Sequence, residues 1–321
     1  MKGIGRRIPL ALFTYNRPHH TAATLKALSV CKGREEFDYF FFSDAPRRPD
    51  DSDSVEAVRR LLRIQAPLFK AQIIEQSTNQ GLARSIVGGV DRLCASHGWV
   101  VVLEDDLLVE PSFLRFMAEA LVHYEHSSTV MQVAATTLAP PLVPTRDAFL
   151  LPVTSTWGWG TWQRAWKCFS WVPQGWPQTA DDLDWLSVFQ LGGAADYVAM
   201  LKDRLAGHND SWGILWWYAV SRLRGKVVYP TRSLVQNIGF DGTGVHCGKD
   251  SLFQFPETSN VDYPISSTGG PIFPDDEAIV PAHYKLLQTV LSGSSNPSQA
   301  WRLRLENLLS SVKRRINHDT V

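Results

Sequence analysis

Apolar runs and helical stripes alternate along the first third of the chain. Residues 8–16, IPLALFTYN, form a short apolar run, and Pro18 then suits the first turn of a helix carrying Leu25 and Leu28. FDYFFFSDAP reads as a second strand, halted by Asp44, Ala45 and Pro46. Asp53 and Glu56 stand as cap and third residue before an amphipathic run with Val55, Val58, Leu62 and Ile64. AQIIEQS is a third strand. GLARSIVGGVDRLCAS sets Leu82, Ile86, Val90 and Leu93 on one helical face. WVVVLEDD is a fourth strand, and EPSFLRFMAEALVHY a helix with Phe113, Phe116, Met117 and Leu121 inward. Such alternation predicts an α/β fold, a mostly parallel sheet covered by helices on both faces.

In sheets of this kind ligands bind at the carboxyl ends of the strands. Three strands end in polar sets: Thr14-Tyr15-Asn16-Arg17, Ser43-Asp44 and Glu104-Asp105-Asp106. They are expected to converge on one crevice. Beyond about residue 150 the pattern changes. TSTWGWGTWQRAW and NDSWGILWWYAV hold most of the chain's 12 tryptophans, and VQNIGFDGTGVHCGKD is a Gly-rich loop. A last amphipathic helix, AWRLRLENLLSSVKRRI, follows a Ser/Gly/Asn/Pro stretch.

The totals exclude several classes. Lys plus Arg equals Asp plus Glu, 32 each, so no global field attracts nucleic acid. Four separated cysteines, with no C-x-x-C pair, suggest neither a zinc knuckle nor a redox motif and suit a reducing compartment. No segment approaches transmembrane length. A cytoplasmic protein, or one at the inner face of a membrane, is the expectation.

Three adjacent acids repel one another and stay ionised only if a cation or water balances them. Hard oxygen ligands at the mouth of a sheet suit Mg²⁺ or Mn²⁺, which in turn suits a diphosphate. A solvated acidic turn is the other reading. The apolar strand before Glu104 and the pair Leu107 and Leu108 after Asp106 favour a fixed, partly buried set.

LEDDLLVEPSFLRFM resembles the acidic motif of GT-A glycosyltransferases, in particular N-acetylglucosaminyltransferase I and bacterial sugar transferases that share its motifs. FTYNRP, FFFSDAP, STWGWGTWQRAW and SLVQNIGFDGTGVHC resemble further family segments in the same order, and the resemblance covers roughly residues 8 to 250. It implies a GT-A, Rossmann-like fold, with residues 1–150 as the nucleotide-sugar-binding half. Residues 151–295 would be the acceptor-side half of the same domain, and 296–321 the terminal helix. It implies Mn²⁺ (or Mg²⁺) on Asp106, with Glu104 and Asp105 touching the donor or ordering the site. It also implies Arg17 and Asp44, beside Thr14, on the nucleotide, with Asp44 holding a uracil; the donor would then be a UDP-sugar. A late-loop histidine, here His246, is a recurrent third metal ligand in such enzymes.

Each residue also has a plainer reading. Arg17 suits a surface turn, Asp44 a turn-former, His246 a solvated loop. Arg84 could reach phosphate from a helix start or be an exposed helical arginine. Trp157 and Trp159 could stack on sugar, Gly158 and Gly160 leaving ring faces open, or pack in the core with Trp162 and Trp166. Trp212, Trp216 and Trp217 read as core.

The family places an Asp directly after the tryptophan of the NDSW segment or one residue later, where this chain has Gly213 and Ile214. Asp210 is the nearest carboxylate and the candidate general base for an acceptor hydroxyl; a helix N-cap is its equal alternative. The terminal helix, with Trp301, Leu305, Leu308, Val312 and Ile316 on one face and five cations, could lie on an anionic membrane or mediate self-association or packing. The expected activity is sugar transfer from a nucleotide-diphosphate donor to a hydroxyl of a glycan or lipid-linked acceptor. The rivals are a non-catalytic nucleotide-sugar-binding or assembly protein and a sugar-phosphate nucleotidyltransferase. Against the last, no Gly-rich phosphate loop with a Lys follows the first strand.

Overall fold

All seven residues of β1 (Ile8–Thr14) are buried. Strand side chains alternate between faces, so both faces of the sheet are covered there. The computed structural model describes residues 6–137, 146–241, 271–274 and 277–292. His246 and the helix expected within 296–321 lie outside the described residues.

After β1 come α1 (Pro18–Ser29), β2 (Phe37–Ser43), α2 (Ser52–Phe69), β3 (Gln72–Glu75), α3 (Leu82–His97) and β4 (Trp99–Glu104). Their order in the sheet is β3-β2-β1-β4, and every pairing is parallel. Pro18 sits in the first turn of α1, where its missing N–H has no helical acceptor to lose. α3 is bracketed by Gly81 at φ 73° and Gly98 at φ 85°, left-handed positions that glycine takes without strain. α3 packs on β1 and β4, and Gly89 admits the Phe13 ring, which stacks on Phe42 at 4.8 Å.

The chain continues through β5 (Leu107–Val109), α4 (Phe113–His123), β6 (Val130–Ala134), β7 (Ala148–Leu151), β8 (Trp159–Trp162) and α5 (Gln163–Trp166). Then follow α6 (Leu183–Phe189), α7 (Tyr197–Leu205), α8 (Trp212–Arg222), β9 (Lys226–Pro230), β10 (Val235–Asn237) and α9 (Pro281–Ser292). The main sheet has eight strands in the order β3-β2-β1-β4-β8-β6-β9-β7. It is the expected helix-flanked α/β sheet, with two reversals. β8 runs antiparallel between β4 and β6, and β7 antiparallel beside β9. β5 and β10 form a separate antiparallel pair.

Two helical residues differ from the apolar pattern. Leu82 is 42% exposed and Ile64 68%. Ile64 lies two residues past the buried Leu62, about 200° around the helix, so it leaves the inward face. Leu82 opens α3 at the strand-end side of the sheet, where it lines a crevice.

The tryptophans settle mostly in the core. Trp159 is fully buried, stacked on Trp212 at 5.3 Å and 5.8 Å from Trp166, which in turn lies 5.0 Å from Trp216. Gly160 does not open a ring face. Its bare Cα lets β8 approach β4 and α4, since a Cβ would lie 3.1 Å from the Val100 carbonyl and 3.1 Å from the Met117 methyl.

Candidate active site

The parallel register brings the polar strand ends level. Thr14 is opposite Ser43, and Phe13 is opposite Glu104. Each chain leaves the sheet at the same edge, and the three polar sets line one crevice of about 680 Å³. The second half of the chain supplies the far wall. Trp157, Tyr197, Met200, Asp210, Trp212 and Gly213 are among its residues.

The three acids have different surroundings. Asp105 is 3% exposed and is tied into the chain. Its carboxylate accepts from the Tyr15 N–H at 3.3 Å, from Arg17 Nη2 at 2.5 Å and from Thr21 Oγ1 at 3.4 Å. Its backbone carbonyl accepts from Thr24 Oγ1 at 2.8 Å. Asp105 thus fastens the end of β4 to the β1–α1 turn. Asp106 accepts from the same Arg17 Nη2 at 3.0 Å, and its backbone carbonyl accepts from the Ile238 N–H at 2.9 Å. Gly239 lies over this carboxylate: a Cβ there would sit 2.3 Å from Asp106 Oδ2. The residues just past β10, Ile238 and Gly239, therefore hold the acidic turn. The Glu104 carboxylate has no hydrogen bond among the described residues and faces the crevice.

Burial and the neighbouring Asp106 and Asp105 push the Glu104 carboxyl up to about 8, against the pull of Arg17. Burial also raises Asp105, with Arg17 opposing. Burial alone would lower the Arg17 guanidinium, but the two aspartates outweigh it and hold it charged. Three carboxylates against one guanidinium leave two negative charges in surplus when all are ionised.

Arg17, expected on a nucleotide, is thus drawn onto Asp105 and Asp106. Asp44 lines the crevice and is 7% exposed. It accepts from the backbone N–H groups of Ala45 at 2.8 Å, Gln80 at 2.9 Å and Gly81 at 2.9 Å, and from Asn79 Nδ2 at 3.1 Å. Those four donors fill about the four lone-pair positions of a carboxylate. A uracil N–H at Asp44 would compete with all of them. Thr14 lines the crevice, with its hydroxyl donating to the Phe42 carbonyl at 3.0 Å.

On the far wall, the N-cap of α8 is Ser211, whose hydroxyl accepts from the Ile214 N–H at 3.3 Å. Asp210 is therefore not the cap; it is exposed and lines the crevice. Trp157 is half-buried in the crevice wall, edge-on to Phe240 at 5.5 Å. Gly158, at φ 62°, turns the chain behind it. Trp159 lies in the core away from the crevice, while the buried Trp212 and Trp217 reach its lining. Arg84 is exposed and is not among the residues lining the crevice.

Several lining residues escaped the sequence reading. Arg47 is exposed at the rim, and its backbone N–H donates to the Tyr15 hydroxyl at 2.9 Å. Tyr15 in turn donates to Asp51 at 2.9 Å, and Asn16 donates to the same carboxylate at 3.3 Å. The APRRP pair after β2 was the available signal for Arg47. Nothing local marked Asn79, which is brought in by the strand order.

The donor chemistry suits a hard divalent cation in part. Glu104 and one oxygen of Asp106 have no hydrogen-bond partner among the described residues. No group of three or more His, Cys, Asp or Glu residues arranged to hold a metal occurs among the described residues. Protein oxygens would thus supply only part of a shell, as is usual where phosphate and water complete it around Mg²⁺.

No family model matches the sequence, and no curated protein does. Among solved structures, the chain is similar to the mannosyltransferase PcManGT from Pyrobaculum calidifontis in complex with GDP-Man and Mn²⁺. The identity is 15% and the TM-score 0.38, over 50% of this chain and 45% of that one. It is also similar to S. aureus TarS 1-349 in complex with UDP-GlcNAc, at 15% identity and TM-score 0.32, over 44% of this chain and 38% of that one. The chain spans less than half the length of either, and the functional reading rests on the crevice itself.

Proposed function

We propose that this chain is a metal-dependent GT-A glycosyltransferase that moves a sugar from a nucleoside-diphosphate donor to a hydroxyl of a glycan or lipid-linked acceptor. The carrying observation is the register that sets Glu104, Asp105, Asp106 and Arg17 at one mouth of a crevice whose other wall holds Asp210.

In this reading Glu104 and Asp106 would hold Mn²⁺ or Mg²⁺. Once bound, the ion offsets the negative charge that develops on the departing diphosphate. The nucleoside lies against the β1, β2 and β3 ends, with Asn16, Asn79 and the rim cation Arg47 toward it. Asp44 shapes that wall by pinning the Asn79–Gly81 turn. Asp105 keeps the acidic turn in place. The acceptor enters between Trp157 and α8, and Asp210 takes its hydroxyl proton as the sugar–oxygen bond forms. The Trp157 ring presents an edge or face to a sugar's C–H surface.

The test is Mn²⁺-dependent thermal stabilisation by UDP, GDP, CDP and dTDP, followed by hydrolysis or transfer assays with the matching nucleotide-sugars. Asp106→Ala is expected to lose the Mn²⁺-dependent stabilisation and on the order of 100-fold or more in turnover. Stabilisation by none of the four diphosphates would end this reading. Tight diphosphate binding without turnover over a broad acceptor panel would instead support a binding or assembly protein.

A further inference from the structure

Among the described residues, the cations Arg17 and Arg47 line the crevice, and only Arg17 is ion-paired to the acids. Its Nη2 lies 2.5 Å from Asp105 and 3.0 Å from Asp106, with side-chain exposures of 20%, 4% and 12% for the three residues. The two bonds are unequal in their surroundings. Asp105 is also held by Tyr15, Thr21 and Thr24, so Arg17–Asp105 is part of a closed network. Among the described residues no second hydrogen bond reaches the Asp106 carboxylate, and the residue over it is a glycine. Opening Arg17–Asp106 leaves the guanidinium on Asp105 and unpairs only Asp106, whose carboxylate lines the crevice, where another cation can take the place of Arg17.

We infer that Arg17 is a resident counter-cation: it holds Asp106 while the crevice is empty and competes with a divalent cation for that carboxylate. The inference rests on the metal-and-diphosphate reading of the site. Two cations at one carboxylate repel, and the partly buried setting screens them weakly. A metal ion arriving alone at the other Asp106 oxygen shares that carboxylate with Arg17 and is repelled by it, and binds most tightly only if Arg17 gives way. A metal ion arriving with a diphosphate brings its own anion, to which the freed guanidinium can turn while keeping Asp105. Metal and nucleotide binding are then coupled through Arg17, a positioning residue that acts through Asp106.

The experiment is titration of Mn²⁺ into the full chain, following the electron paramagnetic resonance signal of free Mn²⁺, with and without UDP or GDP. The proteins are the wild type, Arg17→Met and Arg17→Lys. Without nucleotide, Arg17→Met is expected to bind Mn²⁺ about tenfold or more tightly than the wild type, the size of one charge-assisted hydrogen bond removed from competition. Added diphosphate raises the wild-type affinity and changes that of Arg17→Met much less; Arg17→Lys falls between. Equal or weaker Mn²⁺ binding by Arg17→Met overturns the inference. If Arg17→Met melts early because the buried Asp105 loses its ion pair, its melting temperature in EDTA and in Mn²⁺ gives the second readout. Mn²⁺ must then raise the melting temperature of the variant by more than that of the wild type, and failure to do so also overturns the inference. Should none of UDP, GDP, CDP and dTDP bind while Arg17→Met still gains Mn²⁺ affinity, the glycosyltransferase reading fails and the counter-cation role at Asp106 stands.

Discussion

At Asp44 the carboxylate accepts from three backbone N–H groups and Asn79, so its loss leaves the buried Ala45 N–H and the part-buried Gln80 and Gly81 N–H groups without this acceptor. Asp44→Ala is therefore expected to destabilise the protein by about 3 kcal/mol, measured by urea denaturation. Asp44→Asn, which keeps one acceptor oxygen, should lose less. If both variants were as stable as the wild type, the carboxylate would not be holding the Asn79–Gly81 turn. The sequence marked Asp44 as a strand-end acid, and that much was legible. Its partners at Gln80 and Gly81 were not, because they come from the turn beyond β3, 36 and 37 residues away. Arg17 shows the same limit: an arginine after an apolar strand is visible in the text, but the acids that capture it lie 88 and 89 residues on.

At the scale of elements, β1 to β4 and α1 to α4 follow the apolar pattern closely. The helices show the 3.6-residue period on their buried faces, while β1, β2 and β4 are continuous apolar runs buried on both faces. The β5–β10 pair was not predicted. Three residues are too few to show a period, and β10 forms only because Val235–Asn237 meet Leu107–Val109 across the fold. That pair matters to the site, since it sets Gly239 over Asp106. Gly239→Ala places a methyl where Asp106 Oδ2 now lies, so either the acid or the turn must move. The expected outcome is loss of Mn²⁺-dependent nucleotide stabilisation with little change in the circular dichroism spectrum. Unchanged nucleotide binding would show that the turn yields and the acid does not. Gly89→Ala tests packing in a different place. A Cβ there would meet Phe13 Cζ at 2.5 Å, and overpacking of α3 on β1 should destabilise by about 1–3 kcal/mol in thermal or urea unfolding. A variant as stable as the wild type would mean that the Phe13–Phe42 stack shifts freely.

For the molecule as a whole, stability is linked to the charge gathered at the crevice. Burial and the two aspartates raise Glu104 from 4.5 to about 8, so between those values the folded chain binds a proton that the unfolded chain has released. Stability is then fully present below about pH 4.5 as far as this group is concerned, and it is lost as pH rises through 8. In EDTA, the wild-type melting temperature should fall across pH 5 to 8 more steeply than that of Glu104→Gln. Parallel curves would count against Glu104 as the group responsible. Among the described residues no helix is long and apolar enough to cross a membrane. The main sheet runs across residue 150, since β7, β8 and β9 complete it beside strands of the first half.

By itself the sequence determined the alternation of strands and helices, the polar character of three strand ends and the acids at Glu104–Asp106, because these depend on local period and local composition. Only the tertiary structure decided which charges meet. Parallel register sets the strand ends level, while packing sends Trp159 to the core and leaves Trp157 in the crevice wall. Burial then makes unlike groups of three adjacent acids: Asp105 fastened, Asp106 held by Arg17, and Glu104 raised and facing the crevice. Hydrogen-bond partners and desolvation depend on what the fold brings near, and no spacing along the chain encodes them.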